Sequence, residues 1–135
     1  MAKMIFVNLP VKDLPKAMAF YTALGFTNNP QFTDNTAACM VWSEAIYVML
    51  LTHDKWKSFT SRPIPPATSS EVMVALALDG RADVDAICEA GASHGGTADV
   101  NPAQDHGFMY QRAIADPDGH LWEPFWMDPA AIPKA

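Results

Sequence analysis

Phe6-Val7-Asn8-Leu9-Pro10-Val11 and Met73-Val74-Ala75-Leu76-Ala77-Leu78 fall on one another when the chain is slid against itself by 67 residues. The same offset brings Ala17 and Phe20 onto Val84 and Ile87, so a strand followed by a helix occurs twice in the same order. An offset of about 73 lays Tyr47-Val48-Met49-Leu50 over His120-Leu121-Trp122-Glu123 near the end of each copy. Self-similarity at this period, with four strands and one helix per copy, reads as two tandem βαβββ modules. The fold class is therefore α+β: a curled, mostly antiparallel sheet with the helices outside.

Working outward, Met4 to Val11 is short, apolar and rich in strand formers. Asp13 suits a helix N-cap, Pro15 a first turn, and Ala17, Phe20, Tyr21 and Leu24 recur at helical spacing up to Gly25. Residues 37–42 and 45–51 read as a hairpin turning at Ser43-Glu44. Lys55 to Ser70, with three prolines and little periodicity, reads as the connection between the copies. The second copy follows with a strand over 72–78, a helix over 82–90 closed by Gly91, Gly95 and Gly96, and strands over 109–115 and 121–126. Asp116-Pro117-Asp118-Gly119 makes the last turn. Residues 1–135 form one domain: module one about 3–54, connection about 55–70, module two about 71–127.

A chain of 135 residues that is 50% apolar and 18% charged supports one core. No stretch approaches the roughly 20 apolar residues of a membrane span. The N-terminal residues run directly into a strand, so a soluble, cytoplasmic protein without a membrane partner is expected. A net charge of −6 with only nine scattered Lys and Arg argues against a nucleic-acid partner. Cys39 and Cys88 are expected reduced and buried. Neither a Gly-rich phosphate loop nor a Gly-x-Ser-x-Gly elbow occurs, which leaves nucleotide-dependent and serine-hydrolase chemistry without residues.

Val7-Asn8-Leu9-Pro10-Val11-Lys12-Asp13-Leu14, Ala19-Phe20-Tyr21 and Leu24-Gly25-Phe26 resemble the opening strand and helix of the glyoxalase/bleomycin-resistance/dioxygenase (vicinal oxygen chelate) superfamily. Asp116-Pro117-Asp118-Gly119-His120-Leu121-Trp122-Glu123 resembles its closing strand, and Gln104-Asp105-His106-Gly107-Phe108-Met109-Tyr110 is similar to a subgroup of predicted lactoylglutathione lyases. Metal-dependent relatives hold a divalent ion with four side chains, one from the first and last strand of each module. Those positions fall here on Phe6, Leu50, Met73 and Glu123. Only Glu123 suits a hard or borderline cation, so no metal and no other cofactor is expected.

The resemblance thus implies a metal-free protein that binds a small, partly apolar organic molecule. Phe6, Asn8, Leu50, Met73 and Glu123 would line the floor of a cup, and His106, Tyr110 and Arg112 would stand near its mouth. The alternative is a lyase or isomerase with Glu123 as catalytic base. Against both stands a structural role, in which Glu123 pairs with Arg112 or bonds Asn8, Tyr110 or backbone. Trp56, in the connection, is placed to close over a ligand. A homodimer is expected, with Trp126, Met127 and Ile132 as an apolar tail.

Overall fold

The computed structural model describes residues 3–131; Ile132 of the expected dimer tail lies outside them. Module one contains β1 (Ile5–Val11), α1 (Leu14–Leu24), β2 (Thr27–Asn29), β3 (Ala37–Ser43) and β4 (Ile46–Thr52), followed by α2 (His53–Phe59). Module two contains β5 (Met73–Ala77), α3 (Arg81–Ala92), β6 (Thr97–Ala98), β7 (Gln104–Asp105), β8 (Met109–Gln111), β9 (Ile114–Ala115) and β10 (Leu121–Met127). The first sheet runs β1-β4-β3-β2; in the second, β5 pairs with one edge of β10, and β8 and β9 pair end to end along its other edge, with β7 beyond β8 and β6 beyond β9. Each opening strand is parallel to the closing strand of its own module, and the remaining pairs are antiparallel. Both modules therefore share one strand order, and no ladder joins β1 to β5.

Local chemistry sets the ends of α1. The Asp13 side chain accepts from the Lys16 amide at 3.0 Å, and Gly25, at φ 109°, takes the left-handed turn that closes the helix. Gly91 does not close α3 but sits inside it, and a Cβ there would collide with Ile114 and crowd Phe20 and Leu24. That close approach seats α1 on module two. Phe20 and Tyr21 are fully buried, and they belong to one core with Leu9, Val48 and Leu50 of sheet one and Leu76, Ile87, Ile114 and Trp122 of module two.

Strand alternation gives each sheet a helix-bearing face and a bare face. Val7, Leu9, Val11, Val48 and Leu50 belong to the first; Phe6, Asn8, Tyr47 and Met49 point the other way. In sheet two, Val74, Leu76, Trp122 and Pro124 oppose Met73, Ala75, Leu121, Glu123 and Phe125.

β8 and β9 are one strand in continuous register against β10, interrupted where Arg112 stands opposite Pro124. The Arg112 amide donates to the Pro124 carbonyl at 3.1 Å, but proline has no N–H to return the bond. Cys39 and Cys88 are free and buried, and burial pushes the Cys88 thiol up to about 11, well outside the range of a reactive thiolate.

Candidate ligand-binding site

Leu50 does not line a cup. It is fully buried on the helix-bearing face, and the ladder explains why: Asn8 pairs with Met49, as Ala75 pairs with Glu123. Asn8 and Ala75 are equivalent at the 67-residue offset, so the counterpart of Glu123 is Met49 and the closing strands superpose at 74 residues. A slip of one residue exchanges the two faces of a strand.

The equivalent bare-face positions are therefore Phe6, Met49, Met73 and Glu123, offering a phenyl ring, two thioethers and one carboxylate. That set does not fit the divalent ion of the metal-dependent relatives, which needs imidazole nitrogen or carboxylate oxygen from several residues. Among the described residues no three His, Cys, Asp or Glu side chains gather. Phe6 stacks on Tyr47 with centroids 4.4 Å apart, and Phe6 and Met73 remain half exposed. The Glu123 carboxylate accepts from Gln111 Nε2 at 3.0 Å.

Tyr110 and Arg112 are committed elsewhere. Arg112 bridges Asp85 at 3.0 Å and Asp99 at 2.8 Å, and Tyr110 donates its hydroxyl to Asp85 at 2.7 Å. Asp99 has φ 57°, a left-handed conformation that Asp tolerates, and its amide donates to Ala113. Hydrogen bonds from Tyr110 and Arg112 hold the Asp85 carboxyl below the usual range, and Arg112 does the same for Asp99. His106 stands at the exposed β7–β8 turn beside Phe108, 6.2 Å between centroids.

The structure instead brings Asn8, Trp56, Leu121 and Trp122 to one cavity of about 250 Å³, where the C-terminal end of β1 meets the start of β5 and β10. The connecting segment covers it through Arg62, Pro63, Pro65 and Ser69 to Val72. Of the residues singled out from sequence for a ligand, Asn8 and Trp56 line this cavity; Phe6, Leu50, Met73, His106, Tyr110, Arg112 and Glu123 do not.

Two features build that wall. The first is α2, whose Thr52 side chain caps it by accepting from the Lys55 amide at 3.2 Å, turning the chain back so that Trp56 reaches the cavity. The indole N–H of Trp56 is shielded from solvent and has no hydrogen-bond partner. The second is the 116–119 turn. Asp116 is buried, takes the Tyr21 hydroxyl at 2.6 Å, and accepts the Asp118 and His120 amides at 2.9 Å each. Trp122 Nε1 in turn donates to the Tyr21 oxygen at 3.0 Å. Desolvation raises the Asp116 carboxyl and, with Asp116 alongside, lifts the Tyr21 phenol well above its ordinary value. Thus fixed, His120 donates Nε2–H to the Pro10 carbonyl at 2.8 Å, which ties sheet two to β1 at the cavity. Gly119, at φ 90°, lies so close to Ala67 that a Cβ would collide with its carbonyl, so the connecting segment rests directly on the turn.

The family model of the glyoxalase/bleomycin resistance protein/dioxygenase superfamily matches residues 3–123. The chain belongs to that superfamily. SA1046, a hypothetical protein from S. aureus, superposes with a TM-score of 0.77 over 93% of this chain and 95% of its own, at 26% identity. A glyoxalase-related enzyme from Fulvimarina pelagi gives 0.77 over 93% and 88% at 17% identity. A glyoxalase/bleomycin resistance protein from Albidiferax ferrireducens T118 gives 0.67 over 90% and 95% at 20%. The last two likenesses are of fold. No curated protein sequence matches the chain. No helix among the described residues of this superfamily member is long and apolar enough to cross a membrane.

Sequence reading missed the cavity because its wall comes from α2 and the proline-rich segment. Thr52, three residues before Lys55, was the available signal of a cap.

Proposed function

We propose that this chain is a metal-independent small-molecule-binding member of the superfamily, holding a partly apolar organic ligand in the cavity between Asn8, Trp56 and Trp122. The carrying observation is the cavity itself, whose largely apolar wall is set by the Trp56 and Trp122 rings with Asn8 as a polar group beside them. Apolar walls with a few polar groups are the usual make-up of a small-molecule site.

The lyase or isomerase reading would use Glu123 as base. Its carboxylate is on the bare face and lines no cavity described above, so binding is the reading adopted. A second copy of the chain is the partner we infer, covering the exposed Met4, Ile5 and Phe6 edge; sedimentation as a monomer would remove that inference. The test of the ligand site is a thermal-shift screen of amphipathic organic compounds on the wild type and on Trp56→Phe. Hits that raise the wild-type Tm and lose most of that shift in Trp56→Phe support it. A screen without hits, or equal shifts in both proteins, sinks it.

A further inference from the structure

Resting on that reading, we infer the class of the ligand: a flat aromatic body bearing a single carboxylate, its ring in the Trp56 cavity and its charge in the groove beside it. The cavity and a groove of about 640 Å³ share Pro10, Pro63, Pro65, Ser69 and His120 as common walls, so the two are neighbouring compartments beneath one covering segment. Their chemistry differs. The inner compartment presents tryptophan and proline faces, surfaces on which a planar ring packs with large contact area.

The outer compartment carries charge. Lys12 and Lys57 line it, and neither ammonium has a carboxylate within ion-pair reach among the described residues. Asp118 also lines it, with one oxygen already accepting the Lys12 amide at 2.8 Å. On the inner side the Arg62 and Glu71 charges offset one another. Two ammoniums against one carboxylate leave a single net positive charge at the groove, in a chain whose net charge is −6. A local positive site on an acidic protein concentrates anions there and leaves the remaining surface repelling them. One net charge matches a monoanion, which favours a carboxylate over a phosphate dianion.

The aromatic walls and the two lysines thus make separate demands: a planar ring inside, and a negative charge beyond it. A neutral amphiphile meets only the first.

The experiment titrates 2-naphthoate and 2-naphthamide, which differ in charge but not in ring, into the full chain at low salt by calorimetry. It repeats both with the exposed-lysine variant Lys12→Gln/Lys57→Gln. Exposed ion pairs contribute modestly each, so naphthoate should bind roughly five- to tenfold more tightly than the amide. That preference should shrink to about twofold or less in the double variant, and in the wild type at 1 M salt, where screening is strong. Equal binding of the two compounds overturns the anion assignment while leaving the cavity reading intact. A preference that survives in the double variant places the carboxylate elsewhere and also overturns it. Binding of neither compound overturns the ligand class, and the thermal-shift screen with Trp56→Phe then decides the cavity reading separately.

Discussion

The two modules share one strand order and hold their strands together by different means. In module one, β3 and β4 are seven residues each, paired along most of their length, and the helix above them buries Phe20, Tyr21 and Leu24. In module two β10 keeps the seven residues of β4, but the strands beyond it are fragments of two or three residues, interrupted opposite Pro124. Charge fills the interruption: Arg112 spans Asp85 on α3 and Asp99 beyond β6, and Arg81 at the start of α3 grips Asp105 and the Gly107 carbonyl of the β7–β8 turn. Where a ladder loses bonds, ion pairs fix the backbone, and they do so with a sensitivity to pH and salt that apolar packing lacks.

Deleting the packing should cost most. Phe20→Ala removes a fully buried ring that touches both modules, and a loss of about 3–5 kcal/mol in urea denaturation is expected. A loss under 1 kcal/mol would mean that α1 does not join the modules. Arg112→Met comes next: it leaves Asp85 and Asp99 without their cation, Asp85 keeping only the Tyr110 hydroxyl, at a cost of about 1–2 kcal/mol discounted for the half-exposed carboxylates. Hydrogen exchange should accelerate at β6 and β9 before β3 and β4; uniform acceleration would erase the contrast.

The smallest effect is the acid response. Asp85, Asp99 and Asp105 are held low in the folded state, Asp105 at about 2 by Arg81. A carboxyl with a depressed folded value stabilises the fold above its unfolded value near 4, and that contribution drains away as pH falls toward 2. Exchange protection in the β7–β8 turn should therefore decline over that range and be flat in Arg81→Met. Protection that stays constant in the wild type would show that the pair does not hold the turn.

The βαβββ order, the α1 caps and most of the core were legible because each rests on local periodicity or on a residue with a stereochemical role, such as Asp13 and Gly25. The faces of β4 were not: every residue from Ile46 to Leu51 is apolar or aromatic, so the alternation that would set register is absent, and Leu50 was exchanged for Met49. Tyr110 and Arg112 looked like mouth residues for want of any sequence sign that Asp85 and Asp99, 25 to 27 and 11 to 13 residues upstream, would reach them. Trp56 reads as part of an irregular connection and not of a helix, since α2 depends on a single cap and has no buried face.

The insertion of Phe20 and Tyr21 into the second half bears on the ancestry of the chain. A repeat arises by copying a unit that once stood alone, and its halves stay interchangeable only while each seals its own interior. Here the first half's helix completes the second, down to a glycine whose hydrogen makes room for the ring. The two copies have become obligate complements: a recombinant that doubles either half would meet the wrong surface at this seam, and divergence on one side of it constrains what the other can accept.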